Sequence, residues 1–257
     1  MISTATLINI AKQYLRSSKT SRAIPKHFAE HAATMAEESN AVPDLLFHTV
    51  LTVIDFHADT SGSTRAVYIL GTHATLKSAK DFSLTSLEGL SYAPDDFEEY
   101  QARTTIPADE WTHGDGVMVY AHAPAGQEFF VSIDTTPNNE ELPADANGKL
   151  VLPKGFNHLH YVLQTKTDYN QDKSGAYQSA EIEGCFVRRA DALAAARSVL
   201  GGRQEYSQLD ERDDVNEKGQ WPFGDDVVVH AVAETGENYS VSVRTVPGAH
   251  KKFSKRA

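Results

Sequence analysis

The sequence contains a single cysteine, Cys185, so no disulfide can form within the chain. A chain without internal disulfides fits a reducing compartment better than secretion. No apolar run approaches the ~20 residues that span a bilayer, and no signal-peptide core follows Met1. These absences predict a soluble protein of the cytoplasm without a membrane span.

Acidic residues are absent from residues 1–29, which instead contain five basic residues and many serines and threonines. This composition also suits a mitochondrial presequence, so a mitochondrial location is the alternative. The interpretation we favour is an amphipathic helix that packs on the rest of the chain. Its apolar positions are Leu7, Ile10, Ala11, Tyr14 and Leu15.

The chain also lacks a net positive charge and the common catalytic motifs. Its formal charge of -11 argues against a protein that wraps nucleic acid, because binding to phosphates draws on a positive surface. The sequence contains no P-loop, no dinucleotide fingerprint after a strand, no G-x-S-x-G and no H-E-x-x-H. We therefore expect no nucleic-acid partner and no cofactor.

What the sequence does contain is a long internal match. Residues 111–137, WTHGDGVMVYAHAPAGQEFFVSIDTTP, align without a gap on residues 221–247, WPFGDDVVVHAVAETGENYSVSVRTVP, at an offset of 110. The only two tryptophans, Trp111 and Trp221, fall together. Residues 45–72 align on residues 158–185 at an offset of 113, which brings Asp55 onto Asp168. The same elements are therefore predicted twice in the same order.

Each copy is predicted to form two strands, a helix and a closing hairpin. Alternating and β-branched residues predict strands at 45–57 and 66–72, and helical periodicity predicts helices at 75–88 and 188–202. A four-stranded sheet with one helix leaves one face bare, which a second copy would cover. The predicted fold is α+β, with two tandem ββαββ repeats packed as an internal pseudo-dimer after an N-terminal helical segment. The predicted boundaries are 1–44 (helical segment), 45–137 (repeat 1), 138–157 (linker), 158–248 (repeat 2) and 249–257 (basic tail).

The first hairpin loop of each copy follows the pattern D-x-[HN]-x-D-x-S-G. Alternating oxygen-bearing side chains on a tight loop are ligands that calcium selects, so calcium is a possible metal here. The EF-hand pattern fails, because Lys173 stands where that loop needs glycine. The interpretation we favour is that these side chains bond to nearby backbone amides. The candidate ligands are Asp55, His57, Asp59, Asp168, Asn170 and Asp172.

A second candidate site lies on the less apolar face of the closing hairpins. If those faces meet, a histidine there could act as general acid or base near neutral pH. The candidate catalytic residues are His122, His230, Asp134 and Arg244. The candidate ligand-binding residues are Tyr120, Trp111, Trp221, Ser132 and Ser242. The alternatives are a solvent-facing sheet for the polar residues and core packing for the two tryptophans.

Two functions remain open at this point. The first is a non-catalytic intracellular binding or scaffold protein that holds a small molecule or a protein partner at the seam between the repeats. The second is a cofactor-independent isomerase, lyase or hydrolase that uses histidine, aspartate and arginine at that seam. A concave pocket at the seam would favour a small molecule, whereas a flat apolar patch would favour a protein partner. The sequence leaves the oligomeric state open.

Overall fold

The computed structural model describes residues 41–202, 205–212 and 221–247. The predicted N-terminal helical segment up to residue 40 and the predicted basic tail lie outside these residues. Within the described ranges, no helix is long and apolar enough to cross a membrane.

The described residues form an α+β fold with two five-stranded antiparallel sheets and two α-helices, so the predicted fold class is confirmed at this level. The elements of the first sheet are β1 (Leu45–Asp55), β2 (Arg65–His73), α1 (Leu76–Gly89), β3 (Glu99–Ala102), β4 (Val117–His122) and β5 (Gln127–Pro137). The elements of the second sheet are β6 (His160–Asp168), β7 (Gln178–Phe186), α2 (Arg189–Ser198), β8 (Tyr206–Glu211), β9 (Val227–Ala233) and β10 (Glu237–Arg244). A short 3₁₀ turn at Pro94–Asp96 precedes β3.

The two sheets have the same strand order, β2-β1-β5-β4-β3 in the first and β7-β6-β10-β9-β8 in the second. They also share two irregularities of register. The pairing of β1 with β2 shifts after Thr49, and the pairing of β6 with β7 shifts after Val162, which is the position 113 residues later. A second shift lies between Val117 and Val119 in β4 and reappears at β9. Because such shifts bend a strand, the two sheets bend at corresponding places.

Each sheet has one strand more than the sequence predicted. The ββαββ unit is in fact ββαβββ, since β3 and β8 lie where polar connectors were expected and pair with β4 and β9. Both are short edge strands, and none of their residues is buried. A strand with no buried residue does not need alternating apolar and polar residues. The alternation that predicts the other strands is therefore missing from β3 and β8.

One face of each sheet packs against its helix. In the first sheet, Leu87 of α1 contacts a buried cluster that includes Val119 and Val131. In the second sheet, Ala192 and Ala196 of α2 pack on a separate cluster from the strands. These two cores lie on the helix sides of the sheets.

The opposite faces of the sheets share a third core. It joins residues of both sheets with Leu142 from the connection between them, so part of the predicted linker is buried. Its buried members from the sheets include Leu46, Ile69, Tyr161, Leu163 and Ile182. The two sheets are therefore held together by apolar burial, in an arrangement compatible with a duplicated unit.

Candidate functional site: a cleft between the two sheets

A cleft of about 740 Å³ opens between the two sheets beside their shared core. Both sheets line it. Val50 and Thr52 of β1 face it from the first sheet, and Leu163 and Thr165, which match them at offset 113, face it from the second. Ser132 and Ser240 add further hydroxyl groups. The walls thus mix apolar side chains with hydrogen-bonding groups.

Asp134 and Arg244 line the cleft, and both bind backbone of the opposite sheet. The Asp134 carboxylate accepts a hydrogen bond from the Ile182 N–H of β7 at 2.8 Å. The Arg244 guanidinium donates to the Val67 carbonyl of β2 at 2.7 Å. Because β2 and β7 are edge strands, they present backbone groups that have no strand partner. These two side chains therefore act as latches between the sheets.

A second pair of matched residues joins the sheets next to the first hairpin loops. The Arg65 guanidinium donates to the carbonyl oxygens of Ala176 and Gln178. The Gln178 side-chain amide donates in return to the Ser63 carbonyl at 2.9 Å. Arg65 and Gln178 are 113 residues apart and line the cleft together, so the exchange is reciprocal.

Beside the cleft lies a buried polar cluster around His48. Its Nδ1 lies 2.9 Å from Thr72 Oγ1 and its Nε2 lies 2.8 Å from Thr136 Oγ1. Thr72 also shares a hydrogen bond of 2.8 Å with the Tyr161 hydroxyl, across the seam. Burial, with a smaller contribution from His73, lowers the pKa of His48 to about 4. Burial raises the pKa of Tyr161 well above its usual range. At neutral pH both groups are therefore uncharged.

Stacked aromatic rings flank the cleft on each side. His113 stacks on Tyr120 with a centroid distance of 4.0 Å, and Trp111 meets His113 edge-on at 4.9 Å. The second sheet has the same arrangement, in which Phe223 stacks on His230 at 3.8 Å and meets Trp221 edge-on at 5.1 Å. His113 and Phe223 line the cleft, whereas the rings packed against them do not.

The two tryptophans support these stacks. Trp111 Nε1 donates to the Gly114 carbonyl at 2.9 Å. Trp221 Nε1 is buried and has no hydrogen-bond partner among the described residues. Both residues were predicted as ligand-binding candidates or as core packing, and the structure places both beside the rings that line the cleft.

The two predicted catalytic histidines do not line the cleft. His122 lies at the end of β4, where its Nδ1 is 3.5 Å from Glu98 Oε2. His230 lies against Phe223, and burial lowers its pKa against the opposing effect of Asp210. Of the four candidate catalytic residues, the cleft lining therefore contains Asp134 and Arg244 but neither His122 nor His230.

Of the predicted ligand-binding side chains, one serine lines the cleft and the other serine and Tyr120 do not. Ser132 lines the cleft. Ser242 is buried, and its hydroxyl lies 3.4 Å from the Leu163 carbonyl. The Tyr120 hydroxyl donates to Glu128 Oε1 at 3.1 Å, beside the His113 stack.

Sequence reasoning missed His113, Phe223, Arg65 and Gln178. A signal was present, since His113 and Phe223 stand two residues after the matched tryptophans. The alignment at offset 113 also sets Arg65 on Gln178. At these aligned positions the two sheets contribute unlike groups to one cleft, and strand alternation alone does not indicate them.

The acidic side chains among the predicted metal ligands accept hydrogen bonds from groups of their own loops. Asp55 Oδ1 accepts from the backbone N–H groups of His57 and Ala58 at 3.1 and 3.0 Å. Asp59 accepts from the hydroxyls of Ser61 and Ser63, and these bonds lower its pKa to about 2.

The corresponding loop of the second sheet behaves alike. Asp168 Oδ1 accepts from the backbone N–H of Asn170 at 3.0 Å, and Asp172 Oδ1 accepts from the Ser174 hydroxyl at 2.7 Å. The Asn170 side chain donates to the Thr235 carbonyl. In the part of the chain that the structure describes, no group of three or more histidine, cysteine or acidic side chains is placed to hold a metal ion. The geometry agrees with the local turns that the loop sequence also predicted.

Comparison with protein-family models, with curated protein sequences and with solved structures found no match.

Proposed function

We propose that the chain is an internal duplication whose two copies form a pseudo-dimer, and that it binds a small molecule in the cleft between them. The observation that carries this proposal is the composition of the cleft, to which matched positions of both sheets contribute. Reciprocal contacts across a twofold seam are expected when one surface pairs with a copy of itself. The pairs Arg65–Gln178 and Asp134–Arg244 behave in this way.

The lining favours a ligand with both apolar and hydrogen-bonding groups, and Glu181 adds a carboxylate to it. Val50, Ile54 and Leu163 supply apolar surface, and the rings of His113 and Phe223 supply flat surfaces for stacking. The threonine and serine hydroxyls offer hydrogen bonds of adaptable direction. The volume of about 740 Å³ falls within the ~300–1,000 Å³ of typical small-molecule sites.

Binding is favoured over catalysis because the latch residues that reach the cleft are already engaged. Asp134 and Arg244 hold backbone groups of the opposite sheets. A general acid or base must lie within hydrogen-bond reach of a bound substrate, and the predicted histidines do not line the cleft. His113 does line it, but its Nε2 already lies 3.0 Å from Gln101 Oε1. The protein therefore acts as a binding protein whose ligand contacts both copies.

Native mass spectrometry of the protein purified without denaturation tests this function. We expect the full chain to retain a small molecule, or to gain at least one upon incubation with a metabolite extract. Thr52→Phe and Thr165→Phe each place a ring in the cleft from opposite walls, and both are expected to lose the bound mass. Thr85→Phe changes an exposed residue of α1 and serves as the matched control.

Circular dichroism and thermal melting establish that each variant is folded before its binding is compared. Two independent wall positions keep the test decisive if one variant does not fold. Failure of the wild-type chain to bind any component of the extract, or equal binding by wild type and both folded cleft variants, would overturn the proposal.

A further inference from the structure

A second concave surface lies on the helix side of the first sheet. We name it the α1 groove; its volume is about 910 Å³. Most of its lining is apolar, and the residues that matter here are Leu51, Val53, Leu70, Tyr92, Phe97 and Phe129. Tyr92, Phe97 and Phe129 form a ring cluster with centroid distances between 5.3 and 5.8 Å.

The α1 groove is open although it is apolar. Tyr68, Leu90 and Tyr92 line it and remain 43%, 41% and 40% exposed. Contiguous exposed apolar surface of this kind marks a place where another group binds.

The second sheet shows that the fold itself does not require this apolar surface. At offset 113, Leu51, Val53 and Leu70 correspond to Gln164, Lys166 and Glu183. The Lys166 ammonium lies 5.7 Å from the ring centroid of Tyr239 and 3.4 Å from Glu237 Oε1. The same surface is therefore polar and carries its own ion pair in the second sheet. Among the described residues, the apolar groove is therefore a feature of the first sheet.

The course of the chain indicates what covers the α1 groove. The described part of the chain ends at Pro247, and Pro247 itself lines the groove. Ten further residues follow, GAHKKFSKRA, with one aromatic residue, Phe253. Phe253 stands six positions after Pro247, and six residues of extended chain reach ~20 Å. This segment starts at the wall of the groove and is long enough to enter it.

Charge complementarity supports the same occupant. The segment 248–257 contains four lysines and arginines and no acidic residue. The lining of the α1 groove contains the carboxylates of Asp55 and Asp96 and one cation, Arg65, whose guanidinium already donates to the Ala176 and Gln178 carbonyls. Residues 1–40 and 248–257 together hold nine of the 24 basic residues but three of the 35 acidic ones, so residues 41–247 are strongly acidic. A basic segment is attracted to such a surface.

We propose that the C-terminal segment, residues 248–257, docks in the α1 groove. The ring of Phe253 packs on the cluster of Tyr92, Phe97 and Phe129, and the basic side chains lie beside Asp55 and Asp96. The covalent link supplies an effective concentration in the millimolar range, so an intrinsic dissociation constant below ~1 mM is sufficient.

The test uses a chain that ends at Pro247 and a synthetic peptide of residues 248–257. We expect removal of the segment to increase hydrogen exchange at residues 66–70 and 90–97, and the added peptide to reverse the increase. A peptide with Phe253→Ser is expected to bind about tenfold more weakly, which corresponds to ~1.4 kcal/mol. Salt at about 1 M, where the Debye length is about 3 Å, is expected to weaken both peptides.

Leu70→Glu gives the first sheet the residue that the second sheet has at Glu183, and is expected to abolish peptide binding. Leu76→Glu changes a leucine of α1 that is 43% exposed and does not line the groove, and it is the matched control. A shortened chain that exchanges like the full chain would overturn the proposal, as would protection by the peptide at any other surface. If the shortened chain forms dimers that the peptide does not dissociate, the occupant of the α1 groove is a second copy of the chain, and the proposal is likewise overturned.

Discussion

The two sheets share a backbone design but differ in the surface that each presents on its helix side. The inner faces remain similar, with Thr52 matched by Thr165 and Ile69 by Ile182. The helix-side faces diverge, and Leu70 of the first sheet corresponds to Glu183 of the second. Positions that hold the sheets together must suit both sheets at once, because each sheet packs against the other. Positions on the outer faces must suit one sheet only, so they can differ more.

The latch residues also differ between the two sheets. Asp134 and Arg244 occupy matched positions and carry opposite charges, yet each binds the edge strand of the opposite sheet. Asp134 faces an N–H and must accept, whereas Arg244 faces a carbonyl and must donate. The side chain at this position is therefore an acceptor or a donor in accordance with the backbone group that faces it.

The largest expected effect comes from breaking the shared core. Ile69 and Ile182 are 2% and 6% exposed and belong to one buried cluster. Replacing either by alanine removes buried methyl groups and is expected to lower the free energy of unfolding by about 2–5 kcal/mol. Because both belong to one core, the double variant is expected to deviate from additivity by about 0.5–3 kcal/mol. Urea unfolding of wild type, the two single variants and the double variant measures this double-mutant cycle.

Val119 and Val229 provide the control for this cycle. They are matched at offset 110 and almost fully buried, but they belong to separate cores on the helix sides. Alanine substitutions there are expected to add within about 0.5 kcal/mol. Additive effects for the isoleucine pair would mean that the sheets are stabilised independently and would contradict the shared core.

A smaller effect is expected from His48, which makes the free energy of unfolding depend on pH. The aligned residue of the second sheet is Tyr161, which is not basic. The pKa of His48 is lowered from 6.5 to about 4 by burial, so the unfolded chain binds the proton more tightly than the folded chain. Its contribution to stability is complete above pH 6.5 and is lost as the pH falls towards 4. Between pH 7 and pH 4.5 we expect a loss of about 2 kcal/mol from this residue.

The measurement is the difference in urea stability between the two pH values, compared with the same difference for His48→Asn. Tyr161→Phe is the matched control, because it removes a hydroxyl of the same cluster but no group that titrates in this range. The same pH dependence in wild type and His48→Asn would rule out His48 as its source.

The latches are expected to contribute less than the core. Asp134→Ala leaves the Ile182 N–H without its acceptor and is expected to cost about 1–3 kcal/mol of stability. Asp134→Asn keeps a carbonyl acceptor and is expected to cost less than the alanine variant. The exchange Asp134→Arg with Arg244→Asp preserves net charge but sets each group against the wrong backbone partner. If the exchanged protein is as stable as wild type, the hydrogen bonds of Asp134 and Arg244 to the opposite sheets do not contribute to stability in the way we infer.

Much of this architecture was visible in the sequence. Strand alternation located eight of the ten strands, and Gly126 and Gly236 mark hairpin turns that do adopt positive φ angles of 91° and 100°. These features are local, because period and turn chemistry depend on neighbours along the chain. The edge strands β3 and β8 were missed because they bury nothing.

The cleft was harder to predict because its lining is decided by packing across the seam. The hairpin pattern placed Tyr120 and His230 on the correct strands, yet each lies against the ring that lines the cleft in its place, His113 and Phe223. Those rings come from the segments before β4 and β9, where no periodic pattern assigns a face. Only the match between the copies pointed to them.

The smallest expected effect compares the starts of the two helices. Thr75 caps α1, and its hydroxyl accepts from the Ser78 N–H at 3.1 Å, whereas Arg188 at the same place before α2 makes no side-chain cap bond. Thr75→Ala is expected to cost about 1 kcal/mol, since an N–H of the first turn loses its acceptor.

Arg188→Thr is the reciprocal change. Arg188 is exposed and has the extended backbone, φ of -106°, that an N-cap residue adopts, so a threonine there can accept from the Asp191 N–H without rearrangement. We expect a gain of about 0.5–1 kcal/mol, together with slower hydrogen exchange in the first turn of α2. The cap hydrogen bond protects only the first turn of α2. A gain in stability without slower exchange there would therefore be attributed to the removal of the arginine charge.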